Sequence, residues 1–497
     1  MDVVMAFFRN IPGSAILVGY VRSRCETEPL FFAVELMLVF IFLRYICARS
    51  YSYNLRQSNS ISLTESEIDE LIEAWTPEPL TTALTPLEEN ALKNLPIIVG
   101  PTGPRCMLQT GRTVTNLATY NFYDFAGDDR IKENAIKVLR KYGVGPCSAP
   151  GFYGTQDLHM DVEAKIASFL GTESCLLYSQ AFSTMSSIIS AFAKRGDVIV
   201  ADEACNYSIC NGLRISRSKI YWYRHNDMED LARILAKIVK DSKTISRRFI
   251  VTEGLFDIVG DMVHLPEIIK LKREYKFRLI LDESNSIGVL GRTGRGVTEA
   301  YNVDISQVDI LGGSLSGPFA AAGGFCASSR EVVEHQRINS PAFCYSCALP
   351  GMLATTAGAS IGMLQAQPEL LSECRSLIAA LREQIAKSDW VISTSSHLNP
   401  VQILVFKTDV INSEKLDIIE QEELLQAIIN ELLSRRILIS RLKCVPPVLD
   451  TTLKHNEWLH RPALKVSVMT GLSKREVFKA GLAIRQVISK IMRQKQN

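Results

Sequence analysis

An α/β fold follows from three features of the 497-residue sequence. From about residue 92 onward short apolar runs alternate with helical patterns, which implies a large domain with a mostly parallel sheet covered by helices. After Pro350 the pattern becomes that of a smaller α+β domain, and near the N-terminus one long apolar run precedes both. The expected organisation is a membrane-associated segment over 1–50 with an anchor helix at about 30–47, a linker and amphipathic helix over 51–91, the large domain over 92–350 and the small C-terminal domain over 351–497.

Composition narrows the function classes. With 47% hydrophobic and 22% charged residues the chain is an ordinary globular one, which removes collagen-like, coiled-coil and disordered classes. Lys plus Arg number 55 against 53 Asp plus Glu, a net charge of +2, so there is no overall field for wrapping nucleic acid. Twelve cysteines are scattered from Cys25 to Cys444 without the spacing of a secreted disulfide scaffold, which suggests reduced thiols. The one C-x-x-C, Cys344 to Cys347, has no second pair to complete about four zinc ligands. It reads as packing, and no metal is expected.

The first element is the apolar run over 30–43, broken only by Glu35 and extended past Arg44 by Tyr45, Ile46 and Cys47. It approaches the ~20 residues of a spanning helix. Its Phe and Leu lie all round, which suits lipid better than a half-exposed core face. A secretory signal would need a small-residue cleavage site, which does not follow; a buried core helix is the bland alternative. Glu35 is unfavourable in lipid unless it faces a partner helix or water. Arg22 and Arg24 before the run balance Arg44 and Arg49 after it, so charge gives no orientation. Residues 11–21 are too short to span and suit the interface.

Residues 50–62 read as a polar linker. Thr64-x-x-Glu67 is a capping box, and Ile68, Leu71, Ile72 and Trp75 fall on one helical face before Pro77 and Pro79 stop it. That stripe must dock on its own domain, on a partner or on the membrane. Buried strands are expected at 175–178, 198–201, 220–223, 249–252, 279–281 and 308–311, with a helix at 228–239 among them. Beyond Pro350 follow a long helix, a strand at 401–406, a helix at 421–434 and a final strand and helix from Leu464.

In an open parallel sheet the site lies at the carboxyl ends of the strands. The strand at 279–281 ends in Asp282-Glu283-Ser284-Asn285-Ser286-Ile287-Gly288. Such an aspartate can hold a protonated pyridine nitrogen, or simply cap a turn. The next strand runs into Ser314-Leu315-Ser316-Gly317-Pro318-Phe319-Ala320-Ala321-Ala322-Gly323-Gly324. This series resembles the alpha-oxoamine synthase family of pyridoxal-phosphate enzymes, in which D-E-A-H-S-x-G is followed by T-K-S-F-G-A-A-G-G. On that pattern Asp282 keeps the aspartate, Asn285 stands at the histidine and Gly317 at the Schiff-base lysine. No lysine occurs between Lys276 and Lys387, and Gly, Pro and Ser can neither form the imine nor act as its base. Autonomous catalysis is not expected, and the same gap disfavours a synthase with a relocated base.

Other positions depart from the family in the same sense. Asn206 stands where a histidine stacks on the cofactor ring. The phosphate turn S-G-Y-x-A-N is replaced by Ser179-Gln180-Ala181-Phe182-Ser183-Thr184-Met185. Lys465 lies near the place of a substrate-carboxylate arginine, and Pro150 stands where arginine is common. The closer similarity is to the family's lysine-free long-chain-base subunits. It rests on 71–80 (LIEAWTPEPL), 141–147 (KYGVGPC), 151–155 (GFYGT), Lys194-Arg195-Gly196-Asp197, His225-Asn226-Asp227-Met228 and His335-Gln336-Arg337, spread over nearly the whole chain.

The resemblance implies a fold-type I transferase and a heterodimer with a lysine-bearing second long-chain-base subunit. The pair would condense L-serine with palmitoyl-CoA to 3-ketodihydrosphingosine, with pyridoxal 5'-phosphate bound covalently by the partner. It also implies the endoplasmic reticulum membrane, a cytosolic large domain, contact with membrane lipid and room for small membrane regulatory subunits. Ser346 and Tyr345 would reach the neighbour's cofactor phosphate, and the loop 143–154, with Cys147 and Tyr153, would line the interface. Cys147 either contacts that site or packs as a small buried hydrophobe. The rival reading is a membrane scaffold that recruits regulators through Glu35 and the helix at 64–75 and adds nothing to the active site.

Overall fold

The computed structural model describes residues 23–24, 26–47, 63–77, 80, 83–241, 247–442 and 461–496. The chain divides into two units, Met1–Ala83 and Leu84–Asn497. In the first, a 19-residue helix spans Pro29–Cys47. Its stretch Pro29–Ile46 is long and apolar enough to cross a membrane, and none of it is buried against protein. The capping box forms as expected, with the Thr64 N–H donating to Glu67 at 2.8 Å and the Glu67 N–H returning to Thr64 Oγ1 at 3.4 Å. The helix it starts, Glu65–Ala74, buries no residue, and Ile68, Leu71, Ile72 and Trp75 all face outward. The segments 11–21 and 50–62 lie outside the described residues.

The second unit is built on a seven-stranded sheet. Its strands in chain order are β1 (Ser174–Tyr178), β2 (Val198–Asp202), β3 (Lys219–Tyr223), β4 (Arg248–Glu253), β5 (Arg278–Asp282), β6 (Ile310–Ser314) and β7 (Gly324–Ser328). They lie in the order β1-β7-β6-β5-β4-β2-β3, with β7 antiparallel to both neighbours and the run from β6 to β3 parallel. Leu176, Val200, Ile250 and Ile280 are fully buried, because both faces of the central strands are covered, whereas the edge strand β3 stays half-exposed over Ile220–Trp222. That is why these strands read as unbroken apolar runs.

Three features differ from expectation. β6 begins at Ile310 rather than at Val308 and runs on through Gly312 and Gly313. The helix expected after Pro350 is two, Gly351–Ala366 and Glu369–Ile385, because Pro368 has no N–H with which to continue the first. A small sheet of Ile98–Val99, Arg105–Leu108, Thr113–Asn116 and Ile437–Leu438 was not anticipated. Its last strand pairs in parallel with Thr113–Asn116, placing Ile437 opposite Thr115. A third sheet joins Val391–Ser393, Val401–Phe406, Ala463–Ser467 and Ser440–Leu442, all antiparallel.

The parallel register brings carboxylates to one edge. Glu253 at the end of β4 is the partner of Asp282 at the end of β5, and Asp202 closes β2 two strands away. Both Glu253 and Asp282 are buried.

Candidate functional site

The edge of the sheet holds the residues singled out by sequence, and they are bonded to one another. Asn206 donates its Nδ2 to Asp282 at 3.1 Å and its backbone N–H to Glu253 at 2.6 Å. Its Oδ1 accepts the Ile209 N–H at 3.1 Å, capping the helix Tyr207–Ser216. Asn206 therefore serves as a helix cap and carboxylate partner, a role that leaves it no ring to stack. Burial pushes the Asp282 carboxyl up, and burial together with the Asp282 and Asp257 charges pushes Glu253 well above the carboxylate range.

Gly317 sits in the turn after β6, where the Ala320 N–H returns to its carbonyl at 3.1 Å. A Cβ built there would meet nothing nearer than the Tyr120 Cβ at 4.0 Å. The position is open but carries no amine. Tyr120 also lines a cavity of about 10 Å³ with Asn285, Phe256 and Asp257, room for roughly one water. An amine-anchored pyridoxal phosphate does not fit these residues: the anchor is missing at 317, and the carboxylate that would face a pyridine nitrogen is held by Asn206.

The structure adds groups that sequence did not bring together. Lys465, on the strand Ala463–Ser467, donates to Asp257 Oδ1 at 3.0 Å, and the Tyr120 hydroxyl donates to the same oxygen at 3.0 Å. The gap between Lys276 and Lys387 thus does not empty the region of amines. Burial would lower the Lys465 value, but the Asp257 charge and the bonds to Asp257 and Tyr120 reverse it, so the ammonium is held more firmly than usual and is no base. Nearby, His225 spans Asp202 at 2.8 Å and Asp261 at 3.0 Å. Burial opposes its charge, but the two carboxylates outweigh it and raise the imidazolium to about 10. This clamp ties the end of β2 to the chain beyond β4. A histidine followed by Asn226 and Asp227 was visible in the sequence, but its two distant carboxylates were not.

Cys147, Tyr153 and Tyr345 form a second, outward-facing group, with Ser346 half-buried beside Tyr345. The helix Asp129–Tyr142 ends at Gly143, and the loop that follows turns back through Cys147 and Tyr153, both left-handed at φ 56° and 61°. The Ala348 N–H donates to the Ser148 carbonyl at 2.9 Å, joining this loop to the segment carrying Ser346. Ser346 Oγ lies 3.3 Å from Ser179 Oγ, at the start of the helix Ala181–Phe192. Tyr153 is 96% exposed and Tyr345 89%. Cys147 is exposed as well, so it is not the small buried hydrophobe that was one of its two readings.

The fully buried Glu283 offers a pH test of this edge. It accepts the Val297 N–H at 3.1 Å and the Ser286 hydroxyl, and burial pushes its carboxyl up to about 7 from 4.5. A carboxyl raised in the folded state leaves stability untouched below about pH 4.5, where both states are protonated, and lowers it as pH climbs toward 7. At roughly 1.4 kcal/mol per pKa unit that loss is about 3 kcal/mol. Glu283→Gln is therefore expected to unfold at a higher temperature than the natural chain at pH 8 but not at pH 4.5. Equal displacement at both pH values would show that the charge of Glu283 is not the cause.

The class I and II aminotransferase family matches residues 112–447. Serine palmitoyltransferase 1 of Dictyostelium discoideum is 39% identical over 458 residues, covering 91% of this chain and 92% of that protein. Long chain base biosynthesis protein 1 of Arabidopsis thaliana is 35% identical over 93% of this chain and 92% of its own. A substituted serine palmitoyltransferase from S. paucimobilis, solved with a bound PLP–myriocin aldimine, shares the fold with a TM-score of 0.70. It is 20% identical and is matched over 86% of this chain and 98% of that one. The architecture is that of fold-type I pyridoxal-phosphate transferases. By identity and coverage, the chain belongs to the family of serine palmitoyltransferase 1 and long chain base biosynthesis protein 1, within the class I and II aminotransferases.

Proposed function

We propose that this chain is the non-catalytic but required subunit of a serine palmitoyltransferase. It pairs with a lysine-bearing second long-chain-base subunit, and the pair condenses L-serine and palmitoyl-CoA to 3-ketodihydrosphingosine, the first step of sphingolipid synthesis. The observation that carries this reading is position 317, which has space for a side chain and no amine. Carbanion chemistry on pyridoxal phosphate proceeds through an imine, so the lysine and the covalently held cofactor belong to the partner.

What this chain contributes is surface. Ser346 and Tyr345 reach toward the partner's cofactor phosphate, where a hydroxyl and a backbone N–H are strong donors to an anion. Cys147 and Tyr153 line the interface beside them. The reading is supported by the bond that joins the two loops and by the outward presentation of both tyrosines. The apolar helix Pro29–Cys47 anchors the chain in the endoplasmic reticulum membrane, with the large domain in the cytosol and Glu35 as a contact point for small regulatory subunits.

Co-expression with a lysine-bearing homologue tests this: ketone should form from the purified pair and from neither chain alone. In the pair, Ser346→Ala should lower turnover or cofactor affinity about tenfold, the effect of losing one hydrogen bond to a charged group. The subunits should remain associated. A scaffold that only recruits regulators predicts instead that Ser346→Ala is silent, and that removing residues 1–60 abolishes regulation or localisation while leaving turnover intact.

A further inference from the structure

A cation drawn partly into protein ordinarily has its charge answered by a carboxylate, because leaving water unpaired is unfavourable. Arg337 follows that rule: burial would lower its guanidinium, but the Glu163 and Glu334 charges outweigh it. Arg382 breaks it. Half-buried on the helix Glu369–Ile385, it forms no ion pair among the described residues. Burial lowers it below its ordinary value, and no neighbouring charge offsets this. Its Nη1 is committed to three neutral acceptors, the Ser395 carbonyl and Gln402 Oε1 at 2.7 Å each and Ser393 Oγ at 3.4 Å. Its Nε and Nη2 have no hydrogen-bond partner among the described residues, and neither is enclosed. The guanidinium is thus held by one nitrogen, while the edge formed by the other two is left open.

Arg382 lines a cavity of about 370 Å³ between the end of its helix and Val391–Ser393, the edge strand of the third sheet. A second cation, Lys407, shares that wall. It follows the strand Val401–Phe406, and its backbone N–H donates to the Trp390 carbonyl at 3.0 Å, which fixes it beside the edge strand. The Lys407 ammonium likewise has no carboxylate partner among the described residues. Ser388, only 4% exposed, lines the cavity too. Its Oγ accepts the Trp390 and Val391 N–H groups at 3.3 and 3.4 Å, and its own hydroxyl proton goes to no acceptor among the described residues. The adjacent acid Glu383 is taken up by Lys387 at 2.9 Å, and neither it nor Asp389 lines the cavity. The rest of the wall is largely apolar, with Ile385 and Val391 buried and Ile392 exposed.

Two unanswered cations match an anion of charge near −2, which a phosphate monoester carries at neutral pH and a carboxylate does not. The parallel Nε–H and Nη2–H groups of a guanidinium edge fit two phosphate oxygens, and an ammonium supplies a point charge to a third. The volume falls within the ~300–1,000 Å³ of small-molecule sites, toward the lower end. We propose that this cavity binds a small phosphate monoester with an apolar body, the phosphate held by Arg382, Lys407 and Ser388 and the body packed on Ile385, Val391 and Ile392. The site shares no residue with the surface of Ser346 and Tyr345, so it holds whether or not the pairing proposed above is correct.

Calorimetric titration of the purified full-length chain with phenyl phosphate should show saturable binding, about tenfold tighter than that of inorganic phosphate because the ring is buried as well. Lys407→Met should weaken phenyl phosphate about tenfold, the effect of losing one hydrogen bond to a charged group. The Lys407 ammonium makes no bond within the described chain, so this variant should keep the unfolding midpoint of the natural protein. Lys387→Met removes the same charge from outside the cavity, and Ser346→Ala alters the surface assigned to the cofactor phosphate; both should bind phenyl phosphate as the natural chain does. The proposal is overturned by an absence of saturable binding, by equal affinity for the ester and the bare ion, or by Lys407→Met binding as tightly as Lys387→Met. Binding lost in Ser346→Ala and kept in Lys407→Met would overturn it too, by placing the phosphate at the partner-facing surface. Every readout is a binding constant rather than ketone formation, so this site and the two-subunit reading succeed or fail separately.

Discussion

Incubated with pyridoxal phosphate and reduced with borohydride, the purified full-length chain is expected to yield no adduct localised to one lysine, and with L-serine and palmitoyl-CoA to make no ketone. The expected loss is complete because the missing group is the one through which the chemistry runs. Gly317→Lys sharpens the test. A Cβ at 317 meets no atom closer than 4.0 Å, and the residue is not among the left-handed positions, so a side chain can start there without a Cβ clash or backbone strain. Restoring that amine should permit a trapped adduct on residue 317 but still no product. Asn206 remains committed to Asp282, to Glu253 and to its helix, and Asp257 still holds Lys465. A stable adduct on one specific lysine of the natural chain, with ketone formed, would contradict the whole account.

How far the sequence carried this conclusion depended on whether a feature was local. The Thr64 capping box and the buried runs of β1 to β5 are written in consecutive residues, and all were recovered within a residue or two. The break at Pro368 was legible too, since proline announces its own missing donor, but it was passed over within an apolar stretch. β7 was harder: Gly324–Ser328 has one large apolar side chain, Phe325, and follows directly on a glycine-rich turn. The two-residue strand Ile437–Leu438 is defined only by a partner more than three hundred positions earlier.

The site divides the same way. Asp282, Asn285 and Gly317 sit in two motifs and could be read off directly. Lys465 was placed near the substrate by resemblance, but Asp257 and Tyr120, which meet it, come from two other stretches and join it only in the fold. Asn206 was read as a lost ring, whereas its positive role as cap and carboxylate donor appears only in three dimensions. The left-handed backbone and the exposure of Cys147 likewise appear only in three dimensions.

Gly154→Ala is expected to reduce turnover of the two-subunit enzyme about tenfold or more while leaving the far-ultraviolet circular dichroism of this chain unchanged. The reason is close approach. A methyl group on residue 154 would lie 2.7 Å from the Ala149 carbonyl oxygen and nearer still to that of Ser148. Both are backbone atoms, so no side-chain rotation relieves the clash, and overpacking of this kind costs about 1–3 kcal/mol. The Gly154 N–H closes the turn onto Ala149 at 2.9 Å, and the Ser148 carbonyl accepts the Ala348 N–H at 2.9 Å. Displacing either strand of that arrangement moves Tyr153 and releases the loop from the segment carrying Tyr345 and Ser346. The seven-stranded sheet is not involved, so the fold persists. Gly145→Ala provides the control within the same loop, because a Cβ there meets nothing within 4 Å, and its activity should match that of the natural chain. If both substitutions were equally harmless, the geometry of this loop would have no part in the reaction; if both were equally damaging, the glycine at 154 would not be acting through its contact with Ser148.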